Sequence, residues 1–151
     1  MVESGKSMWY GEYLHTLDNK DRFILPAKYR QRIKAEKIKK FFLTRGLEEC
    51  VFMFAPNDWD NFVEKFKQQP FTKQQTRFFN RLIFSGAYEV DIDSQGRILM
   101  PTILKGFASI KKDILIAGIA DRIEIWDRSK WNQFYDKNRG KFEEMAENIF
   151  E

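Results

Sequence analysis

The segment LDNKDRFILPAKYR (residues 17–30) returns as IDSQGRILMPTILK (92–105). Asp18, Arg22 and Pro26 recur as Asp93, Arg97 and Pro101, each 75 positions later. The echo begins earlier, where Gly11-Glu12-Tyr13 is matched at the same offset by Gly86-Ala87-Tyr88. Downstream the offset becomes 72, pairing Leu43 with Leu115, Gly46 with Gly118, Phe54 with Trp126, Trp59 with Trp131 and Phe62 with Phe134. The change of three falls between Arg30 and Leu43, where a difference in loop length costs little. The period is far longer than the ~20–50 residues of solenoid repeats. Two copies in 151 residues point to a duplicated half-domain with internal pseudo-symmetry.

Each half reads alike. Tyr13–Leu17 and Tyr88–Ile92 predict short strands, and the polar turns DNKDR and DSQGR follow them. Arg22–Leu25 and Arg97–Met100 predict returning strands, so that each turn closes a hairpin. Pro26 and Pro101 suit the first turn of a helix. In the first such helix Leu25, Tyr29 and Ile33 make an apolar face, which leaves Lys28, Arg30 and Arg32 largely off it. Two more strands are expected per half, Phe41–Thr44 with Val51–Phe54 and Ile114–Ala117 with Arg122–Trp126, with Gly46 and Gly118 in the connecting turns. Glu124, between apolar neighbours, predicts a half-exposed strand. A helix closes each half. Trp59, Phe62, Val63 and Phe66 follow Asn57 or Asp58 as cap; Trp131, Phe134, Tyr135, Phe142, Met145 and Ile149 follow Asp127 or Ser129.

These elements divide the chain into an N-terminal extension (1–8), a first half (9–68), a helical connection (69–85) and a second half with a C-terminal helix (86–151). In the connection Lys73, Arg77 and Arg81 share one helical face. No stretch is rich in Gly, Ser or Pro, so the halves are expected to form one domain.

A composition 43% hydrophobic and 16% aromatic is enough to build a core. No apolar run approaches the ~18 residues of a membrane helix, and MVESGKSMWYGE has no apolar signal-peptide core. Cys50 is the only cysteine, so no internal disulfide forms. Together these features predict a cytoplasmic protein without a membrane partner. The net charge of +4 is unevenly spread. Between Asp18 and Lys40 nine basic residues face three acidic ones, a net +6 that leaves −2 for the remainder. Such a field fits a nucleic-acid partner, and equally a solvated, lysine-rich helix and loop.

Catalytic signatures are missing. His15 is the only histidine and lies far from Cys50 in sequence, so no zinc ligand set is recognisable. There is no glycine-rich phosphate loop or dinucleotide fingerprint. Asp91 and Asp93 fall on one strand face as a nominal acid–base pair, with nothing else to support catalysis. The expectation is a protein that is not an enzyme and needs no cofactor and no metal.

What recurs instead is an Asp and an Arg four residues apart across a turn. The Asp can bond the amides of its own turn, or pair with the Arg and aim its guanidinium. A planar guanidinium fork reads phosphates and guanine edges bidentately. Lys20 and Gln95 occupy the same place in the two turns, where either residue can contact DNA. A structural Asp–Arg pair that merely stabilises a hairpin is the plainer reading of a single D-x-x-x-R. Two copies, each followed by three apolar residues and proline, are more informative.

The stretches GEYLHTLDNKDRFILPAKYR (11–30), FLTRGLEECVFMF (42–54), GAYEVDIDSQGRILMP (86–101) and DRIEIWDRSKW (121–131) resemble the MraZ family of bacterial transcriptional regulators, relatives of AbrB/SpoVT-type DNA-binding domains. The resemblance implies an α+β, mainly β fold: a swapped-hairpin AbrB-like β-barrel formed by two pseudo-symmetric halves of one chain, with flanking helices. It implies a ring-shaped homo-oligomer, nucleoid-associated, that binds double-stranded DNA at short direct repeats upstream of its own gene in the division and cell-wall cluster. By position it assigns DNA contact to Asp18 and Arg22, and to Asp93 and Arg97. The charge distribution and turn positions add Lys20, Arg30 and Gln95. One departure stands out, because the family pattern has Gly in both turns and here Asp21 replaces the first. Its carboxylate is expected to weaken phosphate binding or to pair with Arg22. The competing expectation is a structural or protein-binding ring in which the Asp–Arg pairs are intersubunit salt bridges.

Overall fold

The computed structural model describes residues 8–151, so the expected extension over 1–8 lies outside the described residues except for Met8. The first half contains β1 (Glu12–Thr16), β2 (Arg22–Ile24), α1 (Ala27–Ala35), β3 (Lys40–Arg45), β4 (Val51–Phe54) and α2 (Pro56–Lys67). After α3 (Gln74–Ser85), the second half repeats the order as β5 (Tyr88–Asp91), β6 (Arg97–Leu99), α4 (Thr102–Phe107), β7 (Asp113–Ile119), β8 (Arg122–Asp127) and α5 (Arg128–Asn138), and a short 3-10 turn leads into α6 (Phe142–Phe150). The fold is α+β and mainly sheet.

The sheets explain why the halves cannot be separate beads. One has six strands in the order β1-β7-β8-β4-β3-β5, and the other is the pair β2-β6. Each half lends its first strand to the third strand of the other: β1 runs antiparallel to β7, and β5 to β3. The polar turns therefore do not close conventional hairpins. β1 and β2 leave the same turn for different sheets, and β2 pairs with its own repeat, β6. The order reads the same from both ends, with a pseudo-dyad through the Phe52–Glu124 pair of β4 and β8 and the Phe23–Ile98 pair of β2 and β6. This is the swapped arrangement of two pseudo-symmetric halves.

One core lies between the sheets. Phe23, Leu25, Ile98 and Met100 from the small ladder and the turns after it pack with Leu43, Met53, Ile114, Ile116, Ile123 and Ile125 from the large sheet. Tyr29 and Ile33 of α1 join them, as the apolar face of that helix requires. The opposite face of the large sheet is covered by helices. There Phe42 stacks on Trp59 at 5.2 Å, and Trp126 meets Trp131 edge-on at 5.3 Å. Among the described residues no helix is long and apolar enough to cross a membrane.

Several local expectations need correction. The three-residue change of offset is a helix length and not a loop length, since α1 has 9 residues and α4 has 6. Both helices end in the same motif, with Lys37 and Ser109 at φ 57° and 52° and a hydrogen bond from the next amide (Ile38 to Ile33 O, Ile110 to Lys105 O). Ladder register then makes Leu43 the counterpart of Ile116, because Leu43 faces Met53 and Tyr88 as Ile116 faces Ile125 and Tyr13. Gly118 consequently lies inside β7 and not in a turn. A side chain there would strike the backbone of Trp9 and Tyr10, which is reason enough for glycine. α2 starts after Ala55 with Pro56 at its first turn, not at Asn57 or Asp58, whereas Asp127 does cap α5 by accepting from the Lys130 amide. Glu124 is buried rather than half-exposed: one carboxylate oxygen accepts from the Trp126 indole at 2.9 Å and the other from Arg122.

Candidate nucleic-acid interface

The two polar turns have the same internal wiring. In the first, one oxygen of Asp18 accepts from the amides of Lys20 and Arg22, both at 2.9 Å, and the other from Arg22 Nε at 2.9 Å. In the second, Asp93 accepts from the amides of Gln95 (2.9 Å) and Arg97 (2.8 Å) and from Arg97 Nε (2.7 Å). A four-residue spacing makes this possible, because the turn brings Cα(i+4) back beside the Asp. Each turn then needs a left-handed residue just before the Arg. Asp21 fills that place at φ 60° and Gly96 at φ 77°. The Arg22 and Arg97 amides, helped by the Lys20 and Gln95 amides and the guanidinium groups, hold both carboxylates below their ordinary value of 3.8. Both are ionised at neutral pH.

The β2–β6 ladder brings the turns together. Arg22 stands opposite Leu99, and Ile24 opposite Arg97, so these four side chains share one face. Phe23 and Ile98 point the other way into the core, at 1% and 0% exposure. The two arginines are thus diagonal neighbours, with α-carbons about 7–8 Å apart in such a ladder. Ile24 and Leu99 lie exposed between them. The outer face of the ribbon presents two ion-paired guanidinium groups around an apolar centre.

The remaining predicted residues fall around this face. Lys20 and Gln95 are exposed at the turn tips. Arg30 on α1 is half-buried; its Nη1 donates to Leu25 O at 2.7 Å, and its side chain lies over Gly96 of the other turn. Asp91 ends β5 opposite Lys40 while Asp93 belongs to the turn, so the nominal acid–base pair is not assembled. His15 sits half-buried in β1 opposite Ile114. Burial, and then the charge of Arg30, lower its pKa below 6.5. No group of three or more His, Cys, Asp or Glu side chains suited to a metal ion is present among the described residues.

Sequence reasoning misses one residue here. Asp21 pairs with Lys105 of α4, Nζ to Oδ1 at 2.9 Å, and not with Arg22. The signal is available in the repeat itself, because Lys105 is the counterpart of Arg30. Set against models of known families, the chain matches one described as "MraZ protein, putative antitoxin-like" twice, over residues 8–82 and 83–151.

Proposed function

The chain belongs to the MraZ family, and on that premise we propose that it is a sequence-specific, DNA-binding transcriptional regulator with no catalytic step and no cofactor. It binds short direct repeats upstream of its own gene in the division and cell-wall cluster. It acts in the cytoplasm at the nucleoid, as a ring-shaped homo-oligomer that sets many copies of the ribbon side by side. Asp18, Lys20, Arg22, Arg30, Asp93, Gln95 and Arg97 form the contact surface.

The observation that carries this reading is the pair of diagonal arginines on one ribbon face, each fixed through Nε by its own aspartate. The Nε bond sets the plane and direction of the fork and leaves the terminal nitrogens as its reading end. Ordering the side chain beforehand lowers the entropy lost on binding. A two-stranded ribbon fits the major groove, where Arg meets guanine O6 and N7 and apolar side chains such as Ile24 and Leu99 meet thymine methyls. Exposed apolar side chains elsewhere, Phe71, Phe78 and Leu82 near α3 and Phe142, Ile149 and Phe150 on α6, support self-assembly. Repeated heads meeting repeated sites gain affinity by avidity.

The competing reading, a structural ring with the Asp–Arg pairs between subunits, has less support. Both pairs close within a single turn of one chain, at 2.9 and 2.7 Å. Mobility shift on duplex DNA from upstream of the gene, run beside light scattering, separates the two. The Arg22→Ala/Arg97→Ala variant is expected to lose DNA binding while keeping its oligomeric mass. Retained DNA affinity, or a dissociated oligomer, would reject the DNA-reading role.

A further inference from the structure

Each reading turn is packed by a basic residue from the opposite half. Arg30 of α1 crosses to the second turn, and its pseudo-symmetric counterpart Lys105 of α4 crosses to the first. What each meets there differs. A Cβ at position 96 would lie 2.5 Å from Arg30 Cδ, so the Arg30 side chain occupies the space that glycine leaves. At the equivalent position 21 the chain carries a carboxylate, and Lys105 Nζ binds it at 2.9 Å. Glycine and arginine at one turn have become aspartate and lysine at the other.

The charges make the exchange intelligible. The second turn has Asp93 and Arg97, which cancel, and Arg30 beside it brings the head to +1. The first has Asp18, Lys20, Asp21 and Arg22, which also cancel. Only with Lys105 does the first head reach +1. Without that lysine, Asp21 would stand unpaired next to Arg22, on the face that meets DNA phosphates.

We propose that Lys105 is a positioning residue for the first reading turn. By holding the Asp21 carboxylate it cancels the charge that the second turn lacks, and it makes the two heads electrostatically equivalent despite their different sequences. Lys105 acts through Asp21 and does not itself touch DNA. The inference rests on the DNA-binding reading of the turns, and it adds a residue from α4 that neither turn contains.

The test is a double-mutant cycle on the full chain. Affinity for duplex DNA from upstream of its own gene is measured across a salt series for the wild type, Lys105→Ala, Asp21→Gly, the Lys105→Ala/Asp21→Gly double variant and Lys105→Arg. Lys105→Ala takes the first head from +1 to 0. It should weaken binding roughly tenfold and lower the log–log salt slope by about 1 for each such head engaged. The double variant restores +1 and should return to within about twofold of wild type, with its salt slope. Lys105→Arg should bind like wild type, and Asp21→Gly alone at least as tightly. Melting temperature should change little in Lys105→Ala, because an ion pair this exposed contributes little to stability. A merely structural lysine would shift melting and leave the salt slope alone. Wild-type binding by Lys105→Ala overturns the proposal, and so does a double variant as weak as Lys105→Ala, since Lys105 would then contact DNA directly. Arg22→Ala/Arg97→Ala serves as the reference. If it too binds like wild type, the DNA-reading role of the turns fails; if it loses binding while Lys105→Ala does not, only the role of Lys105 fails.

Discussion

Phe23 stands directly opposite Ile98 in the β2–β6 ladder, and each is the other's counterpart in the repeat. The contact holds the β2–β6 ribbon on the core from below. Both side chains are sealed from solvent. Phe23→Ala should cost about 3–5 kcal/mol and Ile98→Ala about 2–5 kcal/mol, read from denaturant midpoints. The two are paired neighbours on the core face of the ladder, so the double variant should depart from additivity by more than ~0.5 kcal/mol.

The strand exchange makes a separated half incomplete. A fragment of residues 8–85 would leave β1 without β7, β3 without β5 and β2 without β6. Alone it should be unfolded, or should pair with a second copy of itself. Mixed with residues 86–151 it should recover native circular dichroism with one-to-one stoichiometry. A folded, monomeric half by sedimentation would contradict the topology.

Arginine and lysine at the turns should separate in a salt titration. Lys20→Ala should weaken specific and random duplexes alike, with the log–log slope reduced by ~1 for each phosphate the lysine neutralises. Arg22→Ala and Arg97→Ala, if the forks read base edges, should each cost about 1–3 kcal/mol of discrimination between the two duplexes. Competition binding at several salt concentrations measures both quantities.

Gly96 has two reasons to remain glycine, its φ of 77° and the Arg30 side chain in its Cβ space. Gly96→Ala should destabilise by about 1–2 kcal/mol through backbone strain and displacement of Arg30. Adding Arg30→Ala should recover the steric part and leave the backbone part. Thermal unfolding of the three variants gives the split.

His15 makes stability depend on mild acidity. Its folded pKa lies below 6.5, because burial and Arg30 disfavour the imidazolium. The unfolded chain therefore binds the proton more readily than the folded one. The His15 contribution is fully present above about pH 6.5, declines as pH falls through that value, and levels off below the folded pKa. Urea midpoints should drop between pH 7.5 and 5.5 in the wild type and drop less in His15→Gln.

Much of this is legible in the sequence because a repeat carries its own control. The strands themselves, the Asp–Arg turns and the buried face of Leu25, Tyr29 and Ile33 follow from pattern, and one copy checks the other. Where each strand finds its partner does not follow from residue-level pattern. A tight polar turn between Thr16 and Arg22 reads as a local hairpin, since turn chemistry reports direction reversal and not ladder membership. Glu124 escapes the pattern because alternation measures polarity, while its burial depends on Arg122 and the Trp126 indole, which satisfy it from two residues away on either side. Gly118 is misplaced because sequence alignment favours glycine on glycine, whereas register is set by hydrogen bonding along β7. Lys105 is missed for a related reason: only the crossing of α4 to the opposite turn brings it within 2.9 Å of Asp21, 84 positions away.

The exchange of strands also fixes a timetable for synthesis. Glu12 pairs with Ala117 and Thr16 with Asp113, so β1 has no partner until about a hundred further residues have been made. At ~5–20 residues per second that is roughly 5–20 s during which the strand must wait unpaired on the ribosome. Its alternation of exposed and half-buried positions, with Glu12, His15 and Thr16 among them, makes it a poor template for another chain during that interval. The last strand pair to leave the ribosome, β7 with β8, therefore closes the whole molecule.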